Sequence, residues 1–376
     1  MKAWLAASMA AAVLIAVSIA VPLGAQAPAA AGTASTGAGA SAGANTAAAE
    51  TSAAWSPSKT AWGDPDLQGS WPTASLLGTP FERPTDFGER RFLTDQEFAA
   101  RQKQFADDAA RVDRTTESGA DVDDGTGPPA HWGEGGLRKA QRLTSLIVSP
   151  TNGRFPAFTP YGQLRRANNG TTGPAVALEH SSWRNSFSTG PWNGPQDLGP
   201  YDRCVSRGIL ASMFPSGYSN GNEIIQAPGY VVIRHEMIHE TRIIPVDGRP
   251  HLSPAIRGYM GDSRGRWEGN TLVVETTNLN GKFGARRNGS DIPLSDALHV
   301  VERFTRTDPQ TLLYEVTVDD PKTWTTPWSV AYPLAQDFEY GMLEYACHEG
   351  NIYSMSNMLS GARADERTAA ANGSKK

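Results

Sequence analysis

The sequence predicts a mainly β protein, an antiparallel meander closing into a lipocalin- or calycin-like barrel, with long loops and one N-terminal surface helix. Three observations carry this. Beyond Cys204, residues 223–226, 229–238, 239–246, 265–269, 271–278, 299–307, 310–319, 328–334 and 341–348 are short runs rich in β-branched and aromatic side chains. Turn-forming residues such as Val246-Asp247-Gly248, Glu268-Gly269-Asn270 and Thr307-Asp308-Pro309-Gln310 join them closely. No helical stretch lies between the runs, which argues against a parallel α/β sheet. Closure removes both exposed edges of a meander, and a two-sheet sandwich is the alternative.

The rest of the chain divides by composition. An apolar run at 3–23 followed by Gly24-Ala25-Gln26-Ala27 has the form of a signal peptide, residues 1–27, so a periplasmic or secreted location is expected. An uncleaved anchor is the other reading of that run; after cleavage no stable membrane insertion is expected. Residues 28–58 are almost all Ala, Gly, Ser and Thr and read as a disordered linker. Residues 59–200 read as an irregular arm, the surface helix and covering loops, 201–363 as the barrel, and 364–376 as a disordered tail.

Within the arm, Thr94 with Glu97 three residues on makes a capping box, and the polar run after it carries a helix to about Val112. Residues 143–148 read as a strand ending at the turn Pro150-Thr151-Asn152-Gly153. The long stretches at 117–136 and 159–200 suit loops covering a pocket, and their histidines, His131 and His180, could reach over it. A net charge of −5 with no basic block excludes nucleic acid as a partner class. The two cysteines, Cys204 and Cys347, allow one disulfide or two separate buried thiols.

His235-Glu236-Met237-Ile238-His239 has the spelling of a zinc-protease helix, in which residues four apart lie about 6 Å from each other. Its flanks, Tyr230-Val231-Val232-Ile233 and Thr241-Arg242-Ile243-Ile244, are strand-like, and turns bound both ends. In a strand, residues four apart are separated by about 13 Å, too far to share one zinc. The segment 223–246 therefore reads as extended. Alternation then places Val231, Ile233, His235, Met237, His239 and Thr241 on one face, and Tyr230, Val232, Arg234, Glu236, Ile238, Glu240 and Arg242 on the other.

Five segments, WGDPDLQGSW at 62–71, IQAPGYVV at 225–232, RIIPVDGRPH at 242–251, GRWEGNTLVVET at 265–276 and EYACHEGN at 344–351, resemble a family of secreted bacterial proteins of unknown function. The resemblance covers nearly all of the mature chain and implies no particular reaction.

A barrel interior could gather His348, Glu349, Glu302, Glu315 and Glu236 as an imidazole and carboxylates for acid–base catalysis near neutral pH. His348 and Glu349 stand where a strand meets a turn, a common place for site residues. His235, His239, Arg242, Tyr314, Tyr345 and Trp328 are the candidate ligand-binding residues, and Trp183, Trp192, Trp324 and Tyr332 add to the aromatic content. Aromatic walls with a few polar handles suit a hydrophobic, aromatic or sugar-like small molecule. Surface ion pairs and plain core packing are the alternative explanations for these residues. His235, His299 and His348 would suit zinc, but no spacing demands it, so neither metal nor cofactor is assigned. The sequence thus points to a secreted barrel holding a small organic ligand, with acid–base chemistry of isomerase, lyase or cyclase type. A non-catalytic carrier and a histidine-based metal hydrolase are the alternatives.

Overall fold

A computed structural model describes residues 55–117, 133–167, 200–201, 203–282, 284 and 293–373, all within the unit Ser52–Lys376. The expected signal segment, His131, His180, Trp183 and Trp192 lie outside the described residues. Among the described residues ten strands form two antiparallel sheets. The smaller contains β1 (Gly69–Ser70), β3 (Asn222–Ala227), β4 (Tyr230–His235) and β5 (Thr241–Pro245), in the order β1-β3-β4-β5. The larger contains β2 (Ile147–Ser149), β6 (Asp262–Glu268), β7 (Thr271–Thr277), β8 (His299–Asp308), β9 (Thr311–Asp319) and β10 (Trp328–Ala335), in the order β2-β10-β9-β8-β7-β6. Four helices accompany them: α1 (Asp95–Glu117), α2 (Pro160–Ala167), α3 (Ile209–Met213) and α4 (Cys347–Gly373). No described helix is long and apolar enough to cross a membrane.

The expected meander is present in two pieces, β3–β5 and β6–β10. Tight two-residue turns fix its register. At Pro228-Gly229, Ala227 pairs with Tyr230, and Gly229 at φ 78° adopts a conformation that a side chain would disfavour. Among the described residues no ladder joins β5 to β6, so the hydrogen bonding does not close into one cylinder. The two strands still touch. A Cβ at Gly265 would lie 2.7 Å from Val246 Cγ1 and 3.1 Å from Ile244 Cγ2, so side chains rather than main chain meet at this seam. The chain from Val246 to Gly261 is a long connection, and it does not impose the register that a tight hairpin would.

Alternation along each strand builds one core. Ile224, Val231, Ile233 and Ile244 from the small sheet meet Leu272, Val274, Val300, Phe304, Tyr314 and Val316 from the large one, joined by Leu67, Trp71 and Leu76 of the arm. Burying each large apolar side chain of this kind stabilises the fold by about 1.5–3 kcal/mol. The arm is tied to the small sheet: the Leu67 N–H donates to Gln226 Oε1 at 2.7 Å, and the Trp71 N–H donates to Asn222 O at 2.7 Å. The interior between the sheets is filled by side chains, so the expected ligand-holding lumen is occupied by core.

The capping box forms as expected. The Thr94 N–H donates to Glu97 Oε2 at 2.8 Å and the Glu97 N–H to Thr94 Oγ1 at 3.3 Å. Three expectations need correction. Residues 236–240 are not strand: Met237–His239 make a short 3-10 turn, with Ile238 at φ 63° and His239 at φ 44°. Residues 341–348 are not strand either. The edge of β10 where such a strand would pair is already taken by β2, through Ser329 with Ser149 and Val330 with Ile147. Third, the alanine-rich stretch expected as a loose tail continues α4 as far as Gly373.

Candidate functional site

The hairpin of β4 and β5 delivers the first group of side chains. Ile233 pairs with Arg242, so the parity of the strand inverts across the 3-10 turn and Arg242 faces inward together with His235. The expected division, with these two on opposite faces, is therefore corrected. Arg242 crosses to the large sheet and grips Glu302 with both amino groups, Nη1 to Oε1 at 3.1 Å and Nη2 to Oε2 at 2.6 Å. Glu302 occupies an inward position of β8, between Val300 and Phe304. Tyr314 Oη donates to the same Oε1 at 3.0 Å. Burial works against the charge on Arg242, but Glu302 more than offsets it, and the pKa of the guanidinium is raised. Burial, with Glu302 next, pushes the Tyr314 phenol well above its ordinary value. This is a forked ion pair, with the Arg242 Nε left without a partner and a neutral phenol beside it, and it fastens the two sheets together.

His235 ends β4. Its Nδ1 lies 2.7 Å from Asn222 Oδ1, while Asn222 Nδ2 donates to Asn220 O at 3.1 Å. The amide oxygen therefore faces the ring, so Nδ1 carries the proton and Nε2 presents a lone pair. That Nε2 is buried and has no hydrogen-bond partner. Burial, followed by the charges of Arg242 and Arg207, holds the imidazole well below its ordinary pKa, and it stays neutral.

Arg207 is the second buried arginine of this corner, 3 % exposed. Its loop is built locally. Ser206 Oγ donates to Glu240 Oε2 at 2.7 Å and accepts from the Gly208 N–H at 2.9 Å, and Gly208 takes φ 86° just before α3. Burial raises the pKa of Glu240, with Ser206 and the Arg207 backbone N–H acting the other way. Three residues before Arg207, Cys204 is bridged to Cys347 at a Cα–Cα distance of 5.8 Å, which pins the loop to the start of α4. The bridge brings Tyr345 to Tyr201. Their hydroxyls lie 2.7 Å apart, and Tyr201 is also 3.1 Å from the Tyr218 hydroxyl. Burial, with Tyr345 and Tyr218 next, raises the Tyr201 phenol far above its ordinary value.

No carboxylate or hydrogen-bond acceptor among the described residues engages the Arg207 guanidinium, and its Nε is buried without a partner. Burial lowers its pKa, and the neighbouring phenols of Tyr201, Tyr218, Tyr345 and Tyr332 act the other way. Tyr332 spends its own proton on Met213 O at 2.6 Å.

Arg207 lines a cavity of about 400 Å³ between the arm and α3. Leu76, Leu77 and Phe81 of the arm, Leu146, Ala211 and Phe214 supply its apolar lining. Thr79, Ser216 and Tyr218 supply hydroxyls.

The remaining candidates are dispersed. Glu236 is buried and saturated, accepting from the Gly221 N–H at 3.0 Å, Tyr340 Oη at 2.6 Å and the Leu343 N–H at 3.3 Å. It fastens the segment after β10. His348 and Glu349 are exposed in the first turn of α4. The His348 ring centre is 6.4 Å from that of His239, whose Nδ1 lies 3.1 Å from Tyr345 O. Glu315 lies beside Arg303 and Ala331, on the face of the large sheet opposite Glu302. Trp328 is core, packed edge-on against Phe81, Phe155 and Trp324. His299 pairs with Glu275 at 2.8 Å, away from His235 and His348. Among the described residues no three His, Cys, Asp or Glu side chains are grouped to hold a metal, and no hydrogen bond joins His348, Glu349, Glu302, Glu315 and Glu236 to one another.

Arg207 carries no role in the sequence reading. The available signal was slight: after Asp202 no acidic side chain occurs until Glu223, so the arginine beside the apolar run Ile209-Leu210-Ala211 stands in an acid-poor stretch. No family model, curated protein or solved structure matches the chain.

Proposed function

We propose that the protein is an extracytoplasmic binding protein for a small organic molecule, which occupies the cavity between the arm and α3. The observation that carries this is the cavity itself: about 400 Å³, lined by apolar side chains together with a few hydroxyls and one cation. That size and make-up are those of sites for small ligands. The leader-like N-terminus supports the location, and the resemblance to secreted bacterial proteins agrees with it. The carrier reading is favoured over acid–base catalysis because the candidate acid and base groups are either saturated, as Glu302 and Glu236 are, or exposed, as His348 is. Neither a lipocalin-like closure nor a metal is needed for it.

The test is titration of the purified mature chain with the neutral fluorescent probe N-phenyl-1-naphthylamine. Saturable binding is expected, and it is lost when Leu77→Trp and Ser216→Trp together fill the cavity. A probe at a hundred times its Kd raises apparent stability by about 2.7 kcal/mol. Absence of saturable binding, or binding indifferent to the two tryptophans, overturns the proposal.

A further inference from the structure

Resting on that binding reading, we infer that the ligand is an amphipathic organic carboxylate, whose anionic head is held by Arg207 while its apolar body lies between Leu77, Phe81 and Phe214. A guanidinium stays charged inside a protein and is costly to bury without a counter-charge. Arg242 shows how this fold meets that cost, with the two oxygens of Glu302 accepting its fork. Arg207 is buried to the same degree and has no such partner among the described residues. Glu240 is occupied by Ser206 Oγ and the Arg207 backbone N–H. The Tyr201 and Tyr332 phenols near the guanidinium remain protonated, because burial raises both far above their ordinary values. They supply dipoles and no negative charge. The guanidinium borders the cavity, and a planar fork of N–H donors matches the two oxygens of a carboxylate. Thr79, Ser216 and Tyr218 line the same space and can donate to those oxygens. The apolar walls then select a head group attached to a hydrocarbon or aromatic body over a free inorganic anion.

The experiment uses decanoate and decanol as a matched pair, each displacing N-phenyl-1-naphthylamine from the mature chain. Decanoate is expected to bind tighter than decanol by a factor on the order of ten to a hundred, the worth of a charge-assisted hydrogen-bonded pair. Arg207→Met should remove that preference while the neutral probe and decanol still bind. Arg207→Lys keeps the charge without the fork and should leave a reduced preference; it carries the test if Arg207→Met does not fold. Equal binding of decanoate and decanol, or a preference that survives Arg207→Met, overturns the inference and leaves the binding reading standing. Failure of all three probes to bind removes the binding reading itself. Displacement of the probe by millimolar phosphate or acetate as strong as that by decanoate assigns Arg207 to a free anion and overturns the amphipathic ligand.

Discussion

Arg242 and Arg207 are the same residue type, 4 % and 3 % exposed, and both act on the charge of His235. They differ in what faces them. Arg242 has Glu302 from the opposite sheet and filled core around it, whereas Arg207 has phenols near it and borders a cavity of about 400 Å³. Glu302 raises the pKa of the first, and burial lowers that of the second. The difference teaches that burial alone does not mark a binding residue. A buried charge whose partner is supplied by the fold is a fastener, while one beside a cavity, with no partner among the described residues, is where the proposed ligand would bind.

The comparison breaks most severely if Arg242 is made to resemble Arg207. Glu302→Gln leaves the guanidinium in packed core without a counter-charge, and chemical denaturation should register a loss of about 3–5 kcal/mol. Loosening the other side is the next largest effect. Cys204→Ser with Cys347→Ser removes a bridge spanning a sequence separation of 143. Urea unfolding should show a loss of about 2–5 kcal/mol, and binding to the cavity should weaken because the loop holding Arg207 is released.

Arg207→Met sharpens the contrast by the sign of its effect. With no ion pair to break, stability should stay level or rise by about 1 kcal/mol, in contrast to the large loss at Glu302. An Arg207→Met loss as large as that of Glu302→Gln would mean that the two arginines do the same work.

The smallest effect is titration of the imidazole between them. His235 is faced by Asn222, Arg242 and Arg207, and its folded pKa lies well below the ordinary value of 6.5. The unfolded chain therefore binds the extra proton first as pH falls. The contribution of His235 is complete above about pH 6.5 and is lost as pH drops towards its depressed folded value. His235→Gln should flatten that part of the stability curve below pH 6.5, which thermal unfolding across pH can check.

How much of this was legible in the chain depends on the range of each cause. The capping box of α1, the hairpin at Pro228-Gly229 and the antiparallel character of the strands are local matters, set by residues within a turn of one another. The partner of Cys204 was limited to Cys347 because no third cysteine exists. The inward turn of Arg242 was not legible, since it depends on the 3-10 turn at Met237–His239, which interrupts a sequence that alternates like strand. The fate of 341–348 depended on β2, nearly 200 residues upstream, occupying the edge of β10 first.

The sequence by itself determined most of the segments that extend, the turns that join them, and the mainly antiparallel β character of the chain. Only the tertiary structure decided that the strands split into two sheets, that the interior fills with apolar side chains, and that Glu302 answers Arg242 while no side chain among the described residues answers Arg207. The reason is physical: backbone conformation follows from neighbours along the chain, but whether a buried charge meets its opposite depends on which distant strands pack against it.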